Sequence, residues 1–221
     1  MLNILLLLVT TIIPGEKLNY QIKYGPISIG TLELQTKENI LWQGKSCYHF
    51  TAHLKSNPKY RKVFSIDDRL DSYVRISDFA TLKAEKKIKE RNYQAESRVI
   101  FDYEQKRTLY SDSSTYPLYQ GVKDLLTTWY YYRIVDLKVG NSFSTPVHID
   151  KKNYQMEFAI DEVRTIKFNN VRYYFVVFEP TTKPKTNLGN VYLSIDEKRL
   201  PVIIKNKNFF GELVATLKGV E

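Results

Sequence analysis

The sequence predicts a mostly β protein in which a large curved antiparallel sheet, or an open barrel, wraps around one central amphipathic helix at about residues 120–135. Many short segments alternate apolar and polar residues between glycine, proline and asparagine, as half-buried strands do. One stretch has a different period. Its apolar residues follow the i, i+3, i+4, i+7, i+8 spacing of a helical face: Val122, Leu125, Leu126, Trp129 and Tyr130.

The chain after residue 15 begins with a predicted hairpin. Residues 17–24 alternate strictly between apolar and polar side chains, which is typical of a half-buried strand. Gly25-Pro26 predicts a turn, and residues 29–36 predict the second strand. A further strand is predicted at 46–55.

Residues 82–91 allow two interpretations. Their composition has helical propensity, but they alternate, and the alternation continues through 93–101 after a turn at Arg91-Asn92. The second observation favours a long, charged hairpin. Its lysines are a candidate docking surface for an acidic partner, with protection of a sheet edge as the alternative; they are Lys83, Lys86, Lys87 and Lys89.

Strand patterns resume after the helix. The tight-turn pair Asn169-Asn170 predicts a hairpin, since asparagine tolerates positive φ. The predicted strands are 143–149, 154–160, 163–168, 171–178, 191–195, 201–205 and 213–217.

Composition limits the class of protein. The 221 residues are 43% hydrophobic, which suffices for one β-rich domain at 16–221, with two smaller lobes as the alternative. The net charge of +9 favours contact with anionic surfaces. No nucleic-acid partner is predicted, because aromatic residues are ordinary in strands and the common recognition motifs are missing. The lone Cys47 excludes an intrachain disulfide.

The N-terminus predicts export. Residues 2–13 form an apolar run that is shorter than the roughly 20 residues of a membrane-spanning helix and resembles the apolar region of a signal peptide at 1–15. No lysine or arginine precedes the run, so a core strand is the alternative. No cysteine follows it, so we expect a periplasmic or envelope-associated protein that is not a lipoprotein and has no transmembrane span in its mature chain.

No motif for catalysis, for a metal or for a cofactor stands out. Cys47, His49 and His53 share one strand face, but the sequence shows no further partner to complete a metal-ligand set. His148 and Asp150 form the most plausible acid–base pair, yet no nucleophile lies in a recognisable context. An enzyme is therefore the least favoured alternative, and no catalytic residue is predicted.

Several stretches together resemble a bacterial envelope family catalogued as domain of unknown function 3108. They occur in the family's order and are 15–30 (GEKLNYQIKYGPISIG), 124–133 (DLLTTWYYYR), 137–140 (LKVG) and 196–202 (DEKRLPV). Tyr192 departs from the tryptophan usual in the family, and 168–171 lack an expected glycine. The resemblance implies an exported, mostly antiparallel β protein and supplies no activity.

Two non-enzymatic hypotheses follow. In the first, the helix leaves an apolar groove on the concave face of the sheet for a lipid, an acyl chain or another envelope component, lined by Leu126, Trp129, Tyr130 and Arg133. In the second, the interior is filled and the lysine hairpin docks the protein. Arg133 falls on the inward face of the helix, so we expect it to be more than half buried and bonded to backbone carbonyls or to a carboxylate from the sheet.

Overall fold

The computed structural model describes residues 12–61, 65–135, 140, 142–168, 171–180, 190–194, 196–208 and 211–221. The apolar run at 2–11, the Asn169-Asn170 turn and the loop at 181–189 lie outside the described residues. The strands are β1 Lys17–Tyr24, β2 Ile27–Thr36, β3 Ile40–Trp42, β4 Lys45–Ser56, β5 Asp67–Arg75, β6 Thr81–Glu90, β7 Tyr93–Asp102, β8 Arg107–Tyr110, β9 Thr115–Pro117, β10 Ser142–Ile149, β11 Lys152–Phe168, β12 Val171–Pro180, β13 Asn190–Ser194, β14 Pro201–Asn208 and β15 Gly211–Val220.

These fifteen strands form one antiparallel sheet in the order β10-β11-β12-β13-β14-β15-β1-β2-β4-β5-β6-β7-β8-β9, with β3 paired to β4. The first strand pairs with the last, for example at Tyr20 and Leu217. The two outermost strands, β9 and β10, are therefore neighbours in the chain, and the segment that joins them contains the helix α1, Leu125–Tyr131.

The predicted β architecture is confirmed, including the charged hairpin of β6 and β7. Consecutive residues of the two strands pair without a break, from Lys83 with Ile100 to Glu90 with Tyr93. Arg91 makes the turn at a φ of 44°. The segments 154–160 and 163–168, predicted as two strands, are one strand, β11, whose register shifts between Ile160 and Val163.

The helix is shorter than the predicted span of 120–135, since it has seven residues. Its start is fixed by Asp124, whose Oδ1 accepts a hydrogen bond of 2.8 Å from the Thr127 amide. Val122 and Lys123 precede this cap in extended conformation: the Val122 carbonyl accepts from the Thr81 amide at 3.0 Å, and the Lys123 carbonyl accepts from the His148 amide at 2.8 Å. Val122 and Lys123 therefore form hydrogen bonds with neighbouring strands and do not belong to the helix.

Helix α1 packs against β4, β5 and β10. Tyr130 stacks on Phe50 with ring centroids 3.8 Å apart and planes at 4°. The opposite side is also buried, because the Thr127 hydroxyl accepts a 3.0 Å hydrogen bond from the Thr81 hydroxyl. Thr128 Oγ1 donates to the Asp124 carbonyl at 2.7 Å. The threonines satisfy their hydroxyls locally, so this short helix is enclosed on more than its apolar face.

Side chains join the two outermost strands at a gap that we call the seam. The Tyr110 hydroxyl lies 2.7 Å from His148 Nε2, and the same hydroxyl accepts a 3.0 Å hydrogen bond from the Lys151 amide. Asn153 Nδ2 donates to the Pro117 carbonyl at 2.7 Å. The sheet thus curls until its edges meet, but the backbone ladder does not close there.

Candidate functional site

An apolar cavity of about 380 Å³ lies between the sheet and one side of helix α1. This volume falls within the roughly 300–1,000 Å³ of small-molecule pockets. Side chains or backbone of β1, β2, β4, β5, β6, β14 and β15 form the wall on the sheet side. Leu125 and Trp129, four residues apart, form the wall on the helix side.

Large apolar side chains of this wall are only partly buried, although they point towards the interior. They are Leu54, Leu70, Ile88, Leu125, Trp129 and Leu213. Fully packed interiors leave few voids larger than a water molecule. The incomplete burial of these side chains therefore results from the cavity.

Gly30 is a necessary part of the wall. A Cβ atom at this position would lie 2.5 Å from the Lys55 carbonyl oxygen of the adjacent strand. The absence of a side chain lets β2 and β4 approach each other where the cavity begins.

The four predicted ligand-binding residues lie in three different places in the structure. Trp129 lines the cavity, whereas Tyr130 and Arg133 lie in the packed interior, with 2% and 0% of their surface exposed. Leu126 lines a smaller pocket of about 80 Å³ on the side of β10. Leu125 belongs to the predicted apolar face but not to the predicted ligand-binding residues, and it faces the main cavity; its i, i+4 spacing to Trp129 was the available signal.

Arg133 is the anchor of the segment after the helix, and its predicted burial and bonding are confirmed. Its Nη1 lies 2.5 Å from Glu16 Oε2, and its Nη2 lies 3.0 Å from Glu16 Oε1. Nη2 also donates to the Lys198 carbonyl at 3.0 Å. This bidentate pair ties the end of the helix to the beginning of β1, next to the cavity wall.

Three charged residues line the cavity on β5 and β6. Asp68 is 8% exposed, and its Oδ1 accepts a 2.9 Å hydrogen bond from the Lys89 amide. Glu90 is largely exposed. Its partial burial and the charge and hydrogen bond of the neighbouring Asp68 raise its pKa, and the charge of Lys86 opposes this rise. Lys86 forms a 3.4 Å ion pair with Asp150. We call Asp68 and Glu90 the acidic rim.

The smaller pocket contains Asp124 and His148. Burial raises the pKa of Asp124, although the Thr127 amide opposes this shift. His148 Nδ1 donates to Asn153 Oδ1 at 2.7 Å, so its Nε2 accepts from the Tyr110 hydroxyl. Burial lowers the pKa of His148. Both ring nitrogens of His148 are therefore engaged in hydrogen bonds at the seam. Asp150 pairs with Lys86 and does not form an acid–base pair with His148.

The candidate metal ligands on β4 are engaged elsewhere. His49 Nε2 lies 2.9 Å from Asp71 Oδ1, and His53 Nε2 lies 2.7 Å from Asp67 Oδ1 on the neighbouring strand. Cys47 is buried. Within the described parts of the chain, three potential ligands do not converge on one point.

Three lysines of the predicted docking surface, Lys83, Lys87 and Lys89, lie on the outer face of β6, and the fourth, Lys86, lies on its concave face. Lys83 lies over the Trp42 ring, with its Nζ 4.8 Å from the ring centroid. Lys87 pairs with Glu96 at 3.0 Å. Lys86 faces the cavity, and Lys89 is exposed. Their side chains are thus distributed over both faces of β6.

These features define a class of mostly β protein: one antiparallel sheet that curls almost to closure over a short helix and leaves an apolar cavity beside it. The profile of the protein family of unknown function DUF3108 matches residues 19–218, and the chain belongs to that family. Comparison with curated proteins returned no match. Among the described residues, no helix is long and apolar enough to cross a membrane.

The chain is similar in fold to a crystal structure of a β-barrel-like protein of the domain of unknown function DUF1849 from Brucella abortus. The TM-score is 0.61 at 8% sequence identity, over 95% of this chain and 98% of the other. A DUF1089 family protein from Pseudomonas aeruginosa is similar at a TM-score of 0.46 and 12% identity, over 80% of this chain and 90% of that one. The first similarity supports the barrel-like architecture.

Proposed function

We propose that this protein is a non-enzymatic, exported envelope protein that binds a lipid or acyl chain in its apolar cavity. The observation that supports the proposal is the cavity of about 380 Å³ beside Leu125 and Trp129. Partly exposed aliphatic side chains surround it, and an aliphatic chain would cover them. The apolar run at 2–13 supports export to the cell envelope, where such ligands are abundant.

The energetics favour a chain-like ligand. Each methylene that leaves water contributes about 0.8 kcal/mol, so affinity should rise about fourfold per added methylene until the cavity is full. Successive methylenes can each contribute this free energy, because Ile22 of β1, Leu54 of β4 and Leu213 of β15 all line the same cavity.

Fluorescence of Trp129 tests the proposal directly. The chain has two tryptophans, and Trp42 lies away from the cavity against Tyr73, with ring centroids 5.7 Å apart. In a Trp42→Phe background, titration with decanol and then dodecanol should give a saturable blue shift, with the longer alcohol binding more tightly. Native mass spectrometry of protein purified without detergent from its own envelope should show a retained aliphatic ligand.

A pair of matched variants tests the location. Ala52 lines the cavity, so Ala52→Phe should fill it and abolish the shift. Ala95 lies on β7 outside the wall of the main cavity, so Ala95→Phe should bind as the parent does. Absence of any shift in the parent, or an unchanged shift in Ala52→Phe, would reject the proposal.

A further inference from the structure

We propose that the ligand is an aliphatic chain that ends in an ammonium group and carries no anionic group, and that the acidic rim of Asp68 and Glu90 holds the ammonium. This inference rests on the proposed function and adds the charge of the ligand to it.

The acidic rim lies on the concave face of two adjacent strands. Leu54, which lines the cavity on β4, is paired with Asp68 on β5. Glu90 at the end of β6 is opposite Ile66, and both line the cavity. The amide of Lys89, the residue next to Glu90, donates to Asp68 Oδ1 at 2.9 Å, so the two carboxyl groups are neighbours. One end of an otherwise apolar wall thus carries two adjacent acids.

One basic residue of the wall acts on the rim, because the charge of Lys86 opposes the rise in the pKa of Glu90. Lys86 also pairs with Asp150 at 3.4 Å, so three carboxyl groups surround one ammonium group. Lys55 is exposed, and its carbonyl oxygen is the atom that lies against Gly30 in the wall. Its side chain alternates away from the concave face, where Asp67 senses its charge. The rim is therefore an acidic spot in a protein of net charge +9.

This arrangement discriminates between end groups of equal length. An ammonium beside two carboxylates relieves their mutual repulsion, and the low-dielectric apolar wall strengthens the attraction. A carboxylate at the same place adds a third negative charge. A hydroxyl neither relieves nor increases this repulsion, so the affinity of an alcohol of the same length measures the contribution of the aliphatic chain alone.

Isothermal titration of the full chain at pH 7 with dodecylamine, dodecanol and dodecanoate, each below its micelle concentration, tests the inference. The amine should bind most tightly and the carboxylate least, with about a tenfold difference in Kd between the two, the scale of a few partly exposed charge contacts. If none of the three binds, the proposed function fails. If the alcohol or the carboxylate binds as tightly as the amine, the cavity remains a binding site and the ammonium inference is wrong.

Substitutions then assign the preference to the rim. Glu90→Gln and Asp68→Asn should remove most of the preference for the amine while dodecanol binds as before, which also shows that the variants are folded. Glu33 is the matched control, because it lies on β2 opposite His53, on the outer face of the same wall. Glu33→Gln should keep the preference. An undiminished preference in both rim variants would overturn the assignment.

Discussion

Removing the carboxylate from the buried Arg133–Glu16 pair should be strongly destabilising. Arg133 is 0% exposed and Glu16 is 6% exposed, so Glu16→Gln leaves a guanidinium charge in the interior with only part of its partners. Breaking a buried pair from one side typically costs about 3–5 kcal/mol. For a chain of this size, each kcal/mol lowers Tm by about 2–4 °C, so the expected decrease is about 6–20 °C.

A double substitution separates the charge from the packing. Arg133→Met with Glu16→Leu removes both charges and keeps apolar volume, so it should recover much of the loss from Glu16→Gln. Urea unfolding followed by circular dichroism measures the three free energies of unfolding. Lys87→Met is the control, because Lys87 and Glu96 are 64% and 69% exposed, and an exposed pair contributes at most about 1 kcal/mol.

The outcome that refutes this reasoning is specific. If Glu16→Gln loses no more stability than Lys87→Met, the buried charge is not a determinant of the fold. If the double variant is no more stable than Glu16→Gln, the penalty of the unpaired charge is not the source of the lost stability.

Three further predictions concern the seam, the wall and the helix start. The lowered pKa of His148 means that the unfolded state takes up a proton at higher pH than the folded state does. The contribution of neutral His148 to stability is therefore complete above about pH 6.5, and it declines by at most about 1.4 kcal/mol per pH unit below that value. Urea unfolding should show this slope, and His148→Gln should flatten it. Gly30→Ala should cost about 1–3 kcal/mol because its Cβ meets backbone, whereas Gly219→Ala, with open space around it, should be nearly neutral in thermal unfolding. Asp124→Ala should cost about 1 kcal/mol through loss of the helix cap, measured against Asp112→Ala on the surface; equal Tm values would contradict the capping role.

The sequence was most informative where one local period determines structure. Alternation identified β1 at its observed bounds and the β6–β7 hairpin against its helical propensity. The helical period located α1, but it extended the helix too far because Val122 fits both patterns. Whether Val122 is helical depends on Thr81 and β10, which are distant in the chain.

The candidate site was only partly predictable. Trp129 was expected beside a groove, and it lines the cavity. The opposite wall combines Ile22, Leu70 and Leu213, and no local pattern relates strands so far apart in the sequence. The aspartates that bond His49 and His53 were missed for the same reason, because the register of β4 and β5 brings each one diagonally across from its histidine, with Tyr73 and Arg69 directly opposite.

The pairing of β1 with β15 also sets the order in which the protein is completed. Asn19 donates a hydrogen bond to Glu221 across 202 positions of the chain, so β1 gains its second neighbour only after β15 has been made. Contacts of such long range fold slowly. The cavity wall uses β1, β14 and β15 together. The cavity is therefore enclosed only after β15 has paired with β1, which makes its formation depend on one of the most distant contacts in the sheet.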